Sequence, residues 1–115
     1  SKNHCFYCLT AHGQAVRQYS EDPIIGELMV MNYKSAVLSA RHHAMLDFAT
    51  MLTTDPSNID EHERQTLRDV GFNEKTIWDI ASVASFYNMT NRMATAVDMQ
   101  PNEEYHFRNR EKVVD

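Results

Sequence analysis

The sequence predicts an all-α protein, and three observations carry that reading. Apolar residues recur at helical spacing in segment after segment, and residues suited to capping open most of those segments. Nowhere does a β-branched run alternate with polar residues, and no Asn-Gly pair marks a hairpin. The length of 115 residues fits one domain over 1–115, with a core from about 3 to 99 and a polar C-terminal arm from about 100 to 115.

The first helix is predicted from Asn3 to Tyr19, with Asn3 as N-cap and Phe6, Leu9, Ala11, Ala15, Val16 and Tyr19 as its apolar positions. Gly13 interrupts it. An interior glycine costs about 1 kcal/mol against alanine, so close packing is its expected purpose. Arg17 and Gln18, near the C-terminal end, suit the helix dipole or face water. Asp22-Pro23 then reads as N-cap and first position of a second helix, from Ile24 to about Tyr33, weakened by Gly26. Met29, Met31 and Met45 are expected as adaptable core.

Ser39 is placed to cap a third helix, from about Ala40 to Leu52, whose buried face is Ala44, Met45, Phe48, Ala49 and Leu52. The adjacent His42 and His43 point in different directions and are expected on the surface, His43 within reach of Asp47. Asp60 and Glu63 form a capping-box pattern for a short fourth helix that ends at Gly71, a left-handed C-cap. Asn73 caps the last helix, from about Glu74 to Val97, which carries apolar residues on nearly every side. Such a helix is buried centrally or by partner subunits. Its polar members Asn88, Asn91 and Arg92 then need partners, and tying helices together is their expected task; the alternative is that Asn88 or Tyr87 lines a reactive pocket.

Composition excludes several functions. With 11 basic and 16 acidic residues the net charge is −5, which argues against nucleic acid or an anionic membrane as partner. No apolar run approaches the roughly 20 residues of a membrane span, and a cytoplasmic location is expected. The two cysteines, Cys5 and Cys8, stand at C-x-x-C spacing and read as a redox pair.

That pair lies in Asn3-His4-Cys5-Phe6-Tyr7-Cys8-Leu9-Thr10-Ala11-His12-Gly13. At about 100° per helical residue, Cys5 and Cys8 sit about 60° apart and Cys8 and His12 about 40° apart, so all three share a stripe. Near a helix N-terminus a thiolate is favoured, and an imidazole one turn on can take its proton. Haem attachment fails because Leu9, not histidine, follows Cys8. A zinc site on Cys5, Cys8, His12 and His4 lacks a completing pair, and a buried cysteine pair beside a core histidine is the plain structural alternative.

Asn3-x-Cys5-x-Tyr7-Cys8-x-x-x-His12-Gly13 resembles the redox motif of the AhpD-like alkylhydroperoxidases, in the peroxidase-related branch of the carboxymuconolactone decarboxylase superfamily. Leu38-Ser39-Ala40-Arg41, Leu46-Asp47-Phe48-Ala49, Gly71-Phe72, Phe86 to Arg92 and Glu103-Glu104-Tyr105 follow in the same order as in that branch. The resemblance implies a thiol-dependent peroxidase of antioxidant defence that reduces alkyl hydroperoxides, with Cys8 attacking, Cys5 resolving and His12 as base. It further implies no bound cofactor or metal, an external dithiol as electron donor, and a homo-oligomer, a trimer or a multiple of one. Similar proteins carry helices ahead of the motif, with a relay glutamate. No residue here takes that place, so the sequence is read as part of a longer protein lacking its N-terminal helices, in preference to a variant that has lost part of the relay, and the activity of this exact chain is in question. Tyr7 stands where some similar members carry a histidine. Two other functions compete: a lactone decarboxylase of the same superfamily, which does not rely on the cysteines, and a non-catalytic redox-sensing or assembly protein.

Overall fold

The computed structural model describes residues 1–111, so the last part of the expected arm lies outside the described residues. Among the described residues there are five α-helices and no strand: α1 (Phe6–Ser20), α2 (Ile25–Asn32), α3 (Ala40–Thr54), α4 (Glu61–Asp69) and α5 (Glu74–Ala96). Short 3-10 turns stand at Tyr33–Ser35, Pro56–Asn58 and Glu103–His106. The all-α class is as the sequence predicts. The chain divides into two compact units, one gathering Asn3–Ala36 with the described residues from Asn91 onward, the other Val37–Thr90.

The Val37–Thr90 unit follows its local signals closely. Ser39 Oγ accepts from the His42 N–H at 3.1 Å and caps α3. The capping box at α4 is complete: Asp60 Oδ1 accepts from the His62 N–H at 2.7 Å, and Glu63 Oε2 accepts from the Asp60 N–H at 2.9 Å. Gly71 ends that helix region at φ 95°, a left-handed conformation that a side chain would strain. Asn73 Oδ1 accepts from the Thr76 N–H at 2.9 Å and starts α5. These four signals fix where each helix begins or ends, and the helices converge on Phe48, Leu67, Phe72 and Ile77, with Met45, Leu52 and Ile59 packed around them. The Arg41 guanidinium lies 4.2 Å from the centre of the Phe72 ring, a cation–π contact over the core edge. Thr53 and Asn88 exchange hydrogen bonds of 3.1 and 3.0 Å, so Asn88 does tie α3 to α5.

The other unit departs from expectation at its first residues. Asn3 does not cap α1. His4 has φ 52°, and its N–H bonds back to the Ser1 carbonyl at 3.1 Å, so the chain turns before the helix and Cys5 becomes the N-cap. Asp22 Oδ1 accepts from the Ile24 N–H at 2.8 Å, which caps a turn ahead of α2 and delays that helix to Ile25. Gly26 is buried: a Cβ there would stand 3.4 Å from the Gly13 carbonyl oxygen, so this glycine lets α1 and α2 approach rather than weakening the fold. Tyr19 and Met31, expected as apolar packing positions, are exposed. Arg17 reverses expectation most. It is 5% exposed, and its Nε and Nη2 donate to the Arg108 and Tyr105 carbonyls, both at 3.0 Å. Those bonds, with the Phe6 and His106 rings at 5.7 Å, seat the described part of the arm on α1 of its own chain.

α5 buries Ile77 and Ala94, but Trp78, Val83, Phe86, Met89 and Met93 remain exposed, Trp78 by 73%. A helix apolar all round is therefore only partly covered within this chain. No helix among the described residues is long and apolar enough to cross a membrane.

Candidate functional site

The cysteine pair is built by the start of α1. Cys5, with φ −89° and ψ 109°, is the extended residue ahead of the first helical turn, and Cys8 is the third residue inside it. This arrangement brings the two Cα atoms to 5.2 Å, and the two sulfurs are joined as a disulfide. The Cys8 N–H, one of the helix's otherwise unpaired donors, points at Cys5 Sγ at 3.2 Å. A sulfur has thus taken the position that Ser, Asp or Asn fills at ordinary helix starts.

Both cysteines are nearly closed off, at 5% and 8% exposure, in a small cluster with Ala94 of α5 and the half-buried Tyr7. Two opposing effects act on thiols held this way. Burial among apolar groups raises a thiol pKa, while the amide donor and the positive helix end lower it. Thr10 is buried one turn into the helix, and its hydroxyl donates to the Phe6 carbonyl at 2.9 Å, so it carries no orphan polar group into the cluster. His12 follows Cys8 by one turn on α1 and is exposed to solvent.

The sequence motif thus folds as one helix start, although one residue pair later than the Asn3 cap implied. Sequence reasoning missed three residues here: Tyr7 as a cover, Ala94 as the facing contact, and Arg17 as the anchor of the C-terminal segment. The spacing of Gly13 and Arg17 was the available signal for Arg17, because a glycine four residues before a long side chain leaves room along the helix for it to lie down. Asn91, one turn before Ala94, has its Oδ1 buried without a hydrogen-bond partner. Among the described residues, no three metal-ligating side chains gather.

No protein-family model matches the chain, and no curated protein matches it either. Solved structures do. An uncharacterized peroxidase-related protein from Silicibacter sp. TM1040 is 56% identical and superposes with a TM-score of 0.93 over 95% of this chain. Over nearly its whole length the chain is thus similar to a protein named peroxidase-related. A second structure, named alkylhydroperoxidase AhpD core and described as an uncharacterized peroxidase-related protein from Ralstonia eutropha JMP134, is 35% identical with a TM-score of 0.91 over 96% of this chain. The chain spans 57% of the first of these proteins and 58% of the second.

Proposed function

We propose that this AhpD-like chain carries thiol-dependent peroxidase chemistry, reducing alkyl hydroperoxides through a Cys5–Cys8 dithiol/disulfide cycle. The observation that carries the reading is the cysteine pair closed across the first turn of α1, in a chain 56% identical to a protein named peroxidase-related. In the first step the Cys8 thiolate attacks the distal peroxide oxygen. An S–O bond forms, the O–O bond breaks, and the leaving alkoxide takes a proton to depart as alcohol. The Cys5 thiol then attacks the sulfenic sulfur, the S–S bond forms, and the hydroxyl leaves as water. An external dithiol reduces the disulfide by exchange, giving up two electrons and becoming a disulfide itself. His12, one turn beyond Cys8, serves as base and charge partner. The reading needs no bound metal or cofactor, and it suits a reducing compartment such as the cytoplasm, where a dithiol donor is at hand.

A second assignment of the two roles rests on a specific contact. The Cys8 N–H points at Cys5 Sγ, not at its own sulfur, which favours negative charge on Cys5 in the dithiol state. The apolar residues left exposed on α5, Trp78 and Met93 among them, support a homo-oligomer, for which the resemblance implies a trimer or a multiple of one.

The test is a peptide mass map after one equivalent of cumene hydroperoxide, on the reduced chain and on Cys5→Ser and Cys8→Ser. The reading expects rapid disulfide formation in the parent and multiple turnovers with a dithiol. A sulfenic acid trapped on Cys8 in Cys5→Ser supports Cys8 as attacker; trapping only on Cys5 in Cys8→Ser transfers that role. Disulfide formation without turnover points to a redox sensor, and two surviving thiols end the redox reading altogether.

A further inference from the structure

Along α1, a separate cavity of about 340 Å³ opens against α2 and the C-terminal segment. Phe6 and Leu9 from α1 and Val30 and Met31 from α2 give it apolar walls, and Arg17, Arg110 and Glu27 supply its charged lining. No cysteine lines it. The size falls within the roughly 300–1,000 Å³ of small-molecule sites.

The charge of this lining is out of balance. Arg17 is held by two carbonyl oxygens, which accept its hydrogen bonds but carry no net charge. Those bonds occupy Nε and Nη2. Nη1 lies 3.6 Å from where a Cβ on Gly13 would stand, so it sits over the bare backbone of a residue that also lines the cavity. The carboxylate in the lining, Glu27, is engaged by Arg110 at 3.5 Å. Two guanidiniums therefore share one carboxylate, leaving one positive charge against apolar walls. Burial and the Arg110 charge both hold the Arg17 pKa below its ordinary value, and Glu27 offsets them only in part. A buried cation short of a counter-ion is costly, and an anion that reaches it recovers that cost.

We propose that this cavity binds an amphiphilic carboxylate, an organic acid whose carboxylate meets Arg17 and whose hydrocarbon chain lies against Phe6, Leu9, Val30 and Met31. A guanidinium presents parallel N–H donors that match a carboxylate, and the apolar walls disfavour a fully hydrated inorganic anion. Because Tyr105 and His106 also line the cavity, an occupied site fastens the C-terminal segment more tightly to α1. The proposal stands independently of the peroxidase reading, since it uses neither cysteine.

The test is calorimetric titration of the whole chain with decanoate, decanol and inorganic phosphate. Decanoate should bind at least about tenfold more tightly than decanol, the scale of one charge-assisted hydrogen bond, and phosphate should not compete. Arg17→Gln should bring decanoate down to the level of decanol. Val30→Trp, which fills the space between the apolar walls without touching the Arg17 clamp, should abolish decanoate binding while leaving the helical circular dichroism unchanged. Should Arg17→Gln fail to fold, the decanol comparison and Val30→Trp still decide. Equal binding of acid and alcohol, no binding of decanoate, or a folded Val30→Trp that binds decanoate like the parent would each overturn the proposal.

Discussion

The two compact units of this chain are held together by different means. The Val37–Thr90 unit is an ordinary small core: Phe48, Leu67, Phe72 and Ile77 bury one another, and helix caps set the ends of the elements that carry them. The unit holding the cysteines buries a disulfide, a threonine hydroxyl and a guanidinium, with Ala94 the apolar partner of the cysteine pair. Non-directional burial tolerates substitution by residues of similar size, whereas a clamp made of specific bonds fails when one donor is lost. The stability of the first unit should therefore track apolar volume, and that of the second should track particular atoms.

The largest effect should come from the apolar core. Leu67 is 1% exposed, and Leu67→Ala should cost about 2–5 kcal/mol in urea unfolding, with Leu67→Met costing less than half as much. Equal losses for the two would mean that shape rather than volume holds this unit. Arg17→Leu keeps bulk but removes both bonds to the Tyr105 and Arg108 carbonyls, and should cost about 1–3 kcal/mol, the scale of one to two charge-assisted bonds net of desolvation. Its signature should be local: amides in the Glu103–His106 turn should exchange hydrogen faster, while those of α3 and α4 keep their protection. Uniform loss of protection would show that the clamp is not confined to its own unit.

The same contrast explains what the sequence made legible. Ser39, Asp60, Glu63, Gly71 and Asn73 act through bonds to residues two to four positions away, so their roles can be read from local sequence, and all five stand where the pattern puts them. The all-α class follows from the same local periodicity. Arg17 acts on carbonyls about 90 residues further along the chain, so the Gly13–Arg17 spacing shows room for its side chain but not what it pairs with. Asn3 misled because it is the better cap by residue type, yet the turn at His4 moved that job to Cys5. The cysteine spacing was legible; the cover provided by Tyr7 and Ala94 was not, since Ala94 comes from the far end of α5.

The smallest effect concerns charge at the start of α4. Arg68 is bridged by Glu61 and, at 2.5 Å, by Glu74, while Arg64 meets Glu61 at 2.9 Å. Bonds from Arg68 hold the Glu61 and Glu74 carboxyls below their ordinary value of 4.5, and the His62 N–H, followed by the Glu63 bond, holds Asp60 below 3.8. With folded pKa values depressed, the unfolded chain takes up protons first as acid is added. The stabilisation is thus complete above pH 4.5 and lost as pH falls through the folded values. These groups are exposed, so the loss should be small and partly screened by salt. Arg68→Gln should flatten the glutamate part of the acid slope in urea midpoints and leave the Asp60 part, whose main cause is a backbone N–H. An unchanged slope would place the acid sensitivity elsewhere, whereas removal of the whole slope would tie the cap to the ion pairs.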